Sequence, residues 1–329
     1  MKTGKVSESI LKRSVLKEVK YRREEVLVGA APGEDCAVLA LAEDEVFITG
    51  TDPVTGAVKD IGKLAVHVAV NDIAASGGEP IGLLISALLP EGTEEGELKE
   101  MARQVGGECE KLQIQLLGGH TEVTGAVNRP ILTVTGIGKA KKQAFLQTGG
   151  AKAGQDLVMT KWAGMEGGSI IAKEKEEELK TRYPLSFIRD AQQMDGFLSV
   201  LPESRIAAVR GASAMHDVTE GGIFGALWEM ASAAGTGLEV DLKKIPIRQE
   251  IVEICNFYEI NPYMLTSTGS LLIATDKGHD LVRELEKEGI PAAVIGKLTE
   301  GNDRVILNDG EKRFLEPAKP DELYKTITF

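Results

Sequence analysis

The sequence is poor in aromatic residues and has no long apolar run. Phe, Trp and Tyr account for 5% of the 329 residues. No apolar stretch reaches the roughly 18 residues that a membrane-spanning helix needs. The first residues, MKTGKVSESILKR, also lack the apolar core of a signal peptide. We therefore expect a cytoplasmic protein that does not cross a membrane.

Cysteine is scarce as well. Cys36, Cys109 and Cys255 are odd in number, widely spaced and outside any C-x-x-C pair. This pattern indicates neither a disulfide framework nor a zinc site. Because free cysteines are among the residues most often buried, we expect three buried, reduced thiols.

Basic residues are outnumbered. The chain has 38 Lys and Arg against 50 Asp and Glu, for a formal net charge of −12. Such a balance repels nucleic acid and anionic membrane surfaces. The basic residues between positions 12 and 25 are interleaved with glutamates, as on a solvated helix face. We expect neither a nucleic-acid nor a membrane partner.

Several common catalytic motifs are absent. The sequence has no G-x-x-x-x-G-K-[ST] phosphate loop, no protein-kinase motif set and no G-x-S-x-G elbow. Any ATP site therefore belongs to neither of the two common classes.

Length and composition predict two globular domains. Hydrophobic residues make up 43% and charged residues 27% of the chain, and a single core rarely extends beyond about 250–300 residues. A stretch rich in Lys, Gly and Ala at 139–153 indicates a crossing between domains. We expect an N-terminal domain at 1–152 and a C-terminal domain at 153–329. Strands and helices alternate without a strict βαβ count, so the expected fold class is α/β to α+β.

Acidic residues flank the first predicted strands. The apolar runs at 35–41 and 45–49 predict a strand pair with a tight connection. Asp35 and Asp52 bracket this pair, and Asp52 lies at the expected end of a strand. Mg²⁺ prefers oxygen ligands and recruits one or two carboxylates together with substrate phosphates. Asp35, Asp52 and Asp72 are therefore candidate metal ligands; the alternative is that Asp52 belongs to an ordinary turn.

A helix is predicted at 60–76, ending at a Gly-Gly pair. Its polar residues recur at spacings of three and four and so line one stripe: Asp60, Lys63, His67 and Asn71. The rest of the helix is apolar, so these polar groups need polar partners. Either the helix is capped and partly exposed, or Asn71 and Asp72 face a cleft and meet Asp52.

The segment GGHTEVTG at 118–125 follows a predicted strand. Its glycines allow close approach of a ligand to the backbone. His120 is an ion ligand, a phosphate hydrogen-bond donor or a structural residue.

The segment HDVTEGG at 216–222 precedes a predicted helix. Thr219 can cap that helix, and Gly221 and Gly222 allow backbone N–H groups to approach an anion at its positive end. This turn is a candidate phosphate contact.

Taken in order, these motifs resemble the superfamily of aminoimidazole ribonucleotide synthetase. Its PurM-like members include thiamin-monophosphate kinase, selenophosphate synthetase and the ATP-dependent dehydratase of hydrogenase maturation. GEDCAVL at 33–39 resembles the start of thiamin-monophosphate kinase. DIGKLAVHVAVNDIAASGGEP at 60–80 and HDVTEGGI at 216–223 are most similar to the hydrogenase-maturation branch. The ordered set of motifs is more specific than any one of them.

The resemblance implies a homodimer in which two N-terminal domains pair their sheets into a shared β-barrel, each followed by a C-terminal α+β domain. It implies ATP and Mg²⁺ near that interface, with phosphoryl transfer to an oxygen of a small or peptide-borne substrate. Carried over position by position, it implies metal ligands Asp35, Asp52, Asp72 and Asp217, nucleotide contacts Asn71, Gly118, Gly119, Thr121, Gly221 and Gly222, and catalytic residues Asp52, Lys63 and His120.

The chain also departs from these relatives. The hydrogenase-maturation enzyme ends in a cysteine that carries the group being dehydrated, whereas this chain ends KTITF. Most relatives have an acid at the position of His120. We expect a subfamily of its own, a Mg²⁺- and ATP-dependent enzyme with a hydrogenase-like maturation pathway as one setting. Two alternatives stay open: a nucleotide-binding partner in metalloprotein assembly without turnover, and a scaffold whose acids are solvated loop residues.

Overall fold

The chain separates into two compact units. The first consists of Met1–Ile73 and Gly78–Phe145, and the second of Ala74–Gly77 and Leu146–Phe329. The sequence placed the division at 152/153, a few residues further along. The computed structural model describes residues 1, 4–31, 36–55, 59–317 and 319–327.

The first unit is built on strands that alternate with helices. Its strands are β1 (Gly4–Lys5), β2 (Val26–Val28), β3 (Val38–Leu39), β4 (Glu45–Val54), β5 (Glu79–Leu89), β6 (Gln115–Val123) and β7 (Ile131–Lys141). Its helices are α1 (Glu8–Ser14), α2 (Ile61–Ala75) and α3 (Glu95–Leu112). Helix α2 ends where predicted, because Gly77 adopts a left-handed conformation with φ +71° and the N–H of Gly78 bonds to the carbonyl of Ile73.

Five strands of this unit form one sheet in the order β1-β6-β5-β7-β4. Strands β5 and β6 are parallel and the other neighbours are antiparallel. Helix α2 packs closely on one face, since a Cβ atom at Gly136 would lie 2.8 Å from the carbonyl oxygen of Ala69. We call this the helix face. The opposite face, the open face, carries half-buried or exposed side chains, among them Phe47, Thr49, Thr51, Leu84, Ser86, Thr133, Thr135 and His120.

Two expectations about β4 were wrong. The predicted hairpin between 35–41 and 45–49 does not form: β3 pairs with β2, while β4 pairs along its whole length with β7. Strand β4 has ten residues and pairs with β7 along all of them, which allows many more backbone hydrogen bonds than pairing with the two-residue β3 would. Asp52 also lies within β4 rather than at its end, because β4 is an edge strand in which Pro53 is tolerated.

The second unit is an α+β structure. Its strands are β8 (Asp156–Thr160), β9 (Ala214–Val218), β10 (Gly237–Asp241), β11 (Ser270–Thr275), β12 (Ala292–Thr299), β13 (Arg304–Asn308) and β14 (Glu311–Phe314). Its helices are α4 (Met165–Glu174), α5 (Glu176–Leu179), α6 (Leu185–Gln192), α7 (Leu201–Val209), α8 (Gly222–Ala234), α9 (Gln249–Phe257), α10 (Gly278–Lys287) and α11 (Leu323–Thr326). The strands form a sheet in the order β14-β13-β10-β12-β8-β11-β9.

The core of the second unit lies between this sheet and α8. Strand β11 is buried at every position, and its largely apolar sequence, SLLIAT, is typical of such a strand. Leu157 and Met159 of β8 pack in one cluster with Ile223 and Leu227 of α8. In the part of the chain that the structure describes, no helix combines the length and apolar character needed to traverse a membrane.

Candidate functional site

Asp52 and Asp72 lie on the helix face of the first sheet. Gly50 and Asp52 are two residues apart on β4, so both point to the same face. A Cβ atom at Gly50 would lie 3.1 Å from Oδ2 of Asp72. Two residues of strand advance about 6–7 Å, which brings the two carboxylates within reach of one or two ions bridged by phosphate oxygens. The meeting of Asn71 and Asp72 with Asp52 stays a prediction, and the position of Asp72 at Gly50 supports it.

Gly50 is a site residue that the sequence reasoning missed. A side chain at this position would crowd the carboxylate of Asp72 and require it to shift. The signal was available, because a glycine inside a strand often marks the close approach of another group. Here that group is a candidate metal ligand.

The remaining polar residues of α2 have different surroundings. Asn71 is fully buried. Lys63 precedes Asp72 by nine residues, which places it about 180° around the helix. His67 turns to α3, where its Nε2 lies 3.1 Å from Oε2 of Glu108. Of the polar stripe, His67 thus contacts a neighbouring helix, and the helical spacing does not bring Lys63 to the carboxylate of Asp72.

Glu108 explains why His67 can be buried. Burial by itself raises the pKa of Glu108, but hydrogen bonds from His67 and Lys111 outweigh it and lower that pKa to about 2. The Lys111 ammonium lies 2.7 Å from Oε1 of the same carboxylate. This three-residue network ties α2 to α3.

His120 lies on the open face, away from Asp52. The strand register aligns His120 with Ser86, Ser86 with Thr133, and Thr133 with Pro53. Asp52, one residue before Pro53, therefore points to the opposite face. Three strand spacings, about 14 Å, also separate β6 from β4. Within one chain the structure does not bring His120 to the two acids; its Nε2 lies 3.2 Å from Oε2 of Glu122 instead.

The glycines of GGHT have a packing role of their own. A Cβ atom at Gly119 would lie 1.9 Å from the carbonyl oxygen of Ile85, and Gly119 has φ +145°. A Cβ at Gly118 would lie 3.3 Å from a Leu84 methyl group. Thr121, next to them on β6, is half-buried. Close contact with β5 alone explains Gly119, and nucleotide binding by Gly118, Gly119 and Thr121 stays a prediction.

The HDVTEGG segment lies in the second unit, at the junction of β9 and α8. Asp217 is buried on β9, opposite Leu271 of β11. Gly221 and Gly222 both have positive φ, 82° and 61°. The helix begins at Gly222 with Gly221 as its N-cap, so the expected cap by the Thr219 side chain does not form.

An internal carboxylate occupies the start of α8. The N–H of Gly221 donates to Oδ2 of Asp321 at 2.8 Å, and the N–H of Leu323 donates to Oδ1 of the same group. Burial raises the pKa of Asp321 to about 6, despite backbone hydrogen bonds from Leu323, Gly221 and Thr266. Gly222 packs on the 263–265 segment, since a Cβ there would lie 2.7 Å from the carbonyl oxygens of Tyr263 and Leu265. A carboxylate of the chain itself thus accepts from the N–H of Gly221 at this turn, and nucleotide binding by Gly221 and Gly222 stays a prediction.

The donor set fits magnesium better than a softer metal. The predicted ligand Asp35 lies outside the described residues. Among the residues that are described, no three His, Cys, Asp or Glu side chains are grouped to hold a metal. Asp52 and Asp72 are two oxygen donors, and Mg²⁺ commonly takes one or two carboxylates and completes its shell with water and phosphate. The pair fits such an ion.

Family models of the AIR synthase related proteins match both units. The N-terminal domain model covers residues 33–140 and the C-terminal domain model covers residues 152–308. The chain belongs to the AIR synthase related protein family. This confirms the family resemblance and the two-domain α/β to α+β fold expected from the sequence.

Within the family, similar proteins carry hydrogenase-maturation names. Carbamoyl dehydratase HypE of Rhodobacter capsulatus is 30% identical over 277 residues, covering 82% of this chain and 78% of the relative. A putative hydrogenase expression/formation protein of Methanocaldococcus jannaschii is 26% identical, over 92% of this chain and 91% of the relative. The crystal structure of Escherichia coli HypE superimposes with a TM-score of 0.81 at 22% identity, covering 98% and 100% of the two chains. Because relatives such as carbamoyl dehydratase are named as enzymes, the expectation that this chain is an enzyme of the family is confirmed.

Proposed function

We propose that this chain is a Mg²⁺- and ATP-dependent enzyme that phosphorylates an oxygen of a small or peptide-borne substrate, in a hydrogenase-like maturation pathway of the cytoplasm. Relatives named carbamoyl dehydratase and selenide, water dikinase support an ATP-using enzyme. A HypE in complex with ATP and a thiamine-monophosphate kinase share the fold. The observation that carries the proposal is the pair of carboxylates, Asp52 and Asp72, on one face of the sheet at Gly50.

Phosphoryl transfer depends on the positioning of ATP and the acceptor more than on a nucleophilic side chain. An oxygen of the acceptor forms a bond to the γ-phosphorus as the bond from that phosphorus to the β-γ bridging oxygen breaks, and ADP leaves with the electron pair. When bound, Mg²⁺ supplies charge neutralisation for the phosphate oxygens. Asp52 and Asp72 are the residues that would hold it. The buried position of Asn71 and the close approach at Gly50 fix the end of α2 from which Asp72 projects.

The direct test is ADP formation by wild type and Asp52→Asn in the presence of candidate acceptors. We expect a loss of about 100-fold or more in the variant, because an amide cannot neutralise a cation. Asp44→Asn is the matched control, since Asp44 precedes the same strand and pairs with Lys141 on the surface at 2.9 Å. Equal rates in wild type and Asp52→Asn would contradict the metal role.

The open face supports a homodimer as part of the proposal. Its centre is uncharged, and the hydroxyl of Thr135 donates to that of Thr51 at 2.9 Å. Phe47 on the same face is 55% exposed. Pairing this face with a second copy would bury these side chains in one step. Thr135→Asp should convert a dimer into a monomer in light scattering, whereas Thr181→Asp on the surface of the second unit should not; a variant that stays dimeric would exclude this face.

A nucleotide-binding partner without turnover is the second candidate. The observation that favours it is a solved HypE–HypF complex, in which a protein that shares the fold of this chain is bound to another protein. If the protein binds Mg²⁺-ATP but forms no ADP with any acceptor tried, this hypothesis is favoured over that of an enzyme.

A further inference from the structure

The segment 319–327 is held against the second unit by buried side chains. Asp321, Glu322 and Leu323 are 3%, 4% and 5% exposed. The N–H of Glu322 donates to the carbonyl oxygen of Met264 at 3.4 Å. Helix α11 in this segment has only four residues, so the docking of the segment depends on these contacts rather than on the helix. We call residues 319–327 the C-terminal clasp.

Two buried carboxylates bind the backbone and the side chain of one threonine. Glu166, at the start of α4, accepts hydrogen bonds through Oε2 from the Thr266 hydroxyl at 2.7 Å and from the N–H of Thr268 at 3.1 Å. Asp321 of the clasp accepts from the N–H of Thr266, as well as from that of Gly221. Glu166 is 8% exposed. The clasp is therefore docked with its carboxylate beside a second buried acid.

No basic side chain of the described residues offsets these two acids. Neither Asp321 nor Glu166 forms a hydrogen bond or an ion pair with a Lys, Arg or His in that part of the chain. Helix α4 presents Glu166 to Asp321, while the turn before α8 and Thr266 present backbone N–H groups. Within the clasp, the ammonium of Lys325 pairs with Glu322 instead. Two like charges in a buried place without a counter-charge destabilise each other.

Protonation of Asp321 therefore favours the docked clasp. Burial is the largest cause that raises the pKa of Asp321, and the charge of Glu166 raises it further; backbone hydrogen bonds lower it, and the result is about 6. In a released, solvated clasp the same group has its ordinary value of 3.8. The docked state therefore has this extra stability in full below pH 3.8 and loses it as the pH rises through 6. Between pH 5 and pH 8 the docking equilibrium should weaken by about tenfold.

We propose that the C-terminal clasp is a proton-dependent latch, which stays docked while Asp321 carries a proton and detaches when Asp321 and Glu166 are both negatively charged. Detachment frees the N–H groups of Gly221 and Thr266 and uncovers the start of α8. A local change of charge is thereby coupled to the release of a segment. The latch goes beyond the proposed function and acts independently of it; only its effect on a ligand at Gly221 rests on that function.

Hydrogen exchange of the whole protein, followed by mass spectrometry from about pH 5 to pH 8, tests the latch. Protection factors corrected for the intrinsic pH dependence of exchange report the docking equilibrium. We expect the protection of 319–327 to fall by about tenfold over this range. Because the clasp opens without unfolding of the unit, its exchange should not change at low urea concentrations, whereas the exchange of β11 should be slower and should accelerate with urea.

Variants that change one charge separate the latch from a general loosening of the unit. Asp321→Asn carries no charge, so the protection of its clasp should not depend on pH. Glu166→Gln keeps an oxygen for Thr266 and Thr268 but removes the repelling charge, so its clasp should be more protected than that of wild type at pH 8. Glu316→Gln changes an exposed acid just before the clasp and is the matched control, which should follow wild type.

Three results would overturn the latch: clasp protection in wild type that is constant with pH, an equal fall of protection in Asp321→Asn, or a clasp that exchanges only as slowly as β11. Thermal unfolding verifies that each variant is folded, and Glu166→Gln keeps the test decisive if Asp321→Asn does not fold. None of these measurements involves ATP, so their outcome is independent of the proposed function.

Discussion

The turn at Gly221–Gly222 and the strand position Gly50 each have an acid within two residues in the sequence, yet the fold uses the two glycine positions in opposite ways. At Gly50 the missing side chain makes room for the carboxylate of Asp72. At Gly221 the backbone N–H is already bound to the carboxylate of Asp321. The comparison teaches that a glycine-rich turn before a helix indicates an anion-binding position. It does not tell whether the anion is a carboxylate of the chain or a bound ligand.

The largest expected effect is a loss of stability on substitution of Gly222. Gly222→Ala should lower the free energy of unfolding by about 3 kcal/mol, because the new methyl group meets two carbonyl oxygens in a backbone conformation that favours glycine. Chemical denaturation measures this change. Gly211→Ala has the same kind of backbone, with φ +84° and open space around it, so it should cost only about 1 kcal/mol. Equal costs would mean that packing against 263–265 is unimportant.

The pH dependence of stability tests the carboxylate at α8. The pKa of Asp321 is about 6 in the fold, above its ordinary value of 3.8. A raised pKa means that the folded state binds the proton more tightly than the unfolded state, so this group adds stability as the pH falls from 7 through 6 toward 4. The gain is up to ~3 kcal/mol.

The Asp321→Asn variant should lack this gain in stability at low pH, while its amide oxygen still accepts a hydrogen bond from the N–H of Gly221. The measurement is the free energy of unfolding of both proteins between pH 4 and 8. Glu316→Gln, an exposed acid in the same C-terminal segment, serves as the control. Parallel curves for wild type and Asp321→Asn would show that the buried carboxylate does not titrate in this range.

Gly50→Val should leave the fold intact and weaken divalent-cation binding. A valine at this strand position displaces the Asp72 carboxylate, and we expect Mn²⁺ affinity to fall by about tenfold. Thr51→Val places the same side chain on the open face of the same strand and should retain wild-type affinity. Unchanged binding in Gly50→Val would separate Asp72 from the metal site.

Local pattern was enough to predict some of these elements. The apolar periodicity of α2 predicted a helix at 60–76 where the structure has Ile61–Ala75, and the continuous apolar sequence of β11 is typical of a buried strand. These elements depend on neighbours in the chain. The expectation of buried thiols holds for Cys109 and Cys255 but is wrong for Cys36, which is exposed.

Features that depend on distant contacts could not be predicted. The face on which His120 lies depends on register shifts in β5, near Gly82 and Leu83. The sequence periodicity of a single strand does not reveal such irregularities in its pairing with neighbouring strands. Asp321 contacts a turn 100 residues earlier in the chain. Its sequence surroundings, DELYK, indicate only a polar segment.

The central claim is that Asp52 and Asp72 hold one divalent-cation site together. Titration of Mn²⁺ in the presence of a non-hydrolysable ATP analogue, followed by the loss of the free-ion paramagnetic resonance signal, measures it directly. Wild type should bind the ion, and Asp52→Asn and Asp72→Asn should each bind it about tenfold more weakly or worse, with no further loss of that size in the double variant because both changes remove the same site. Mn²⁺ affinities that match wild type in either single variant would contradict the account.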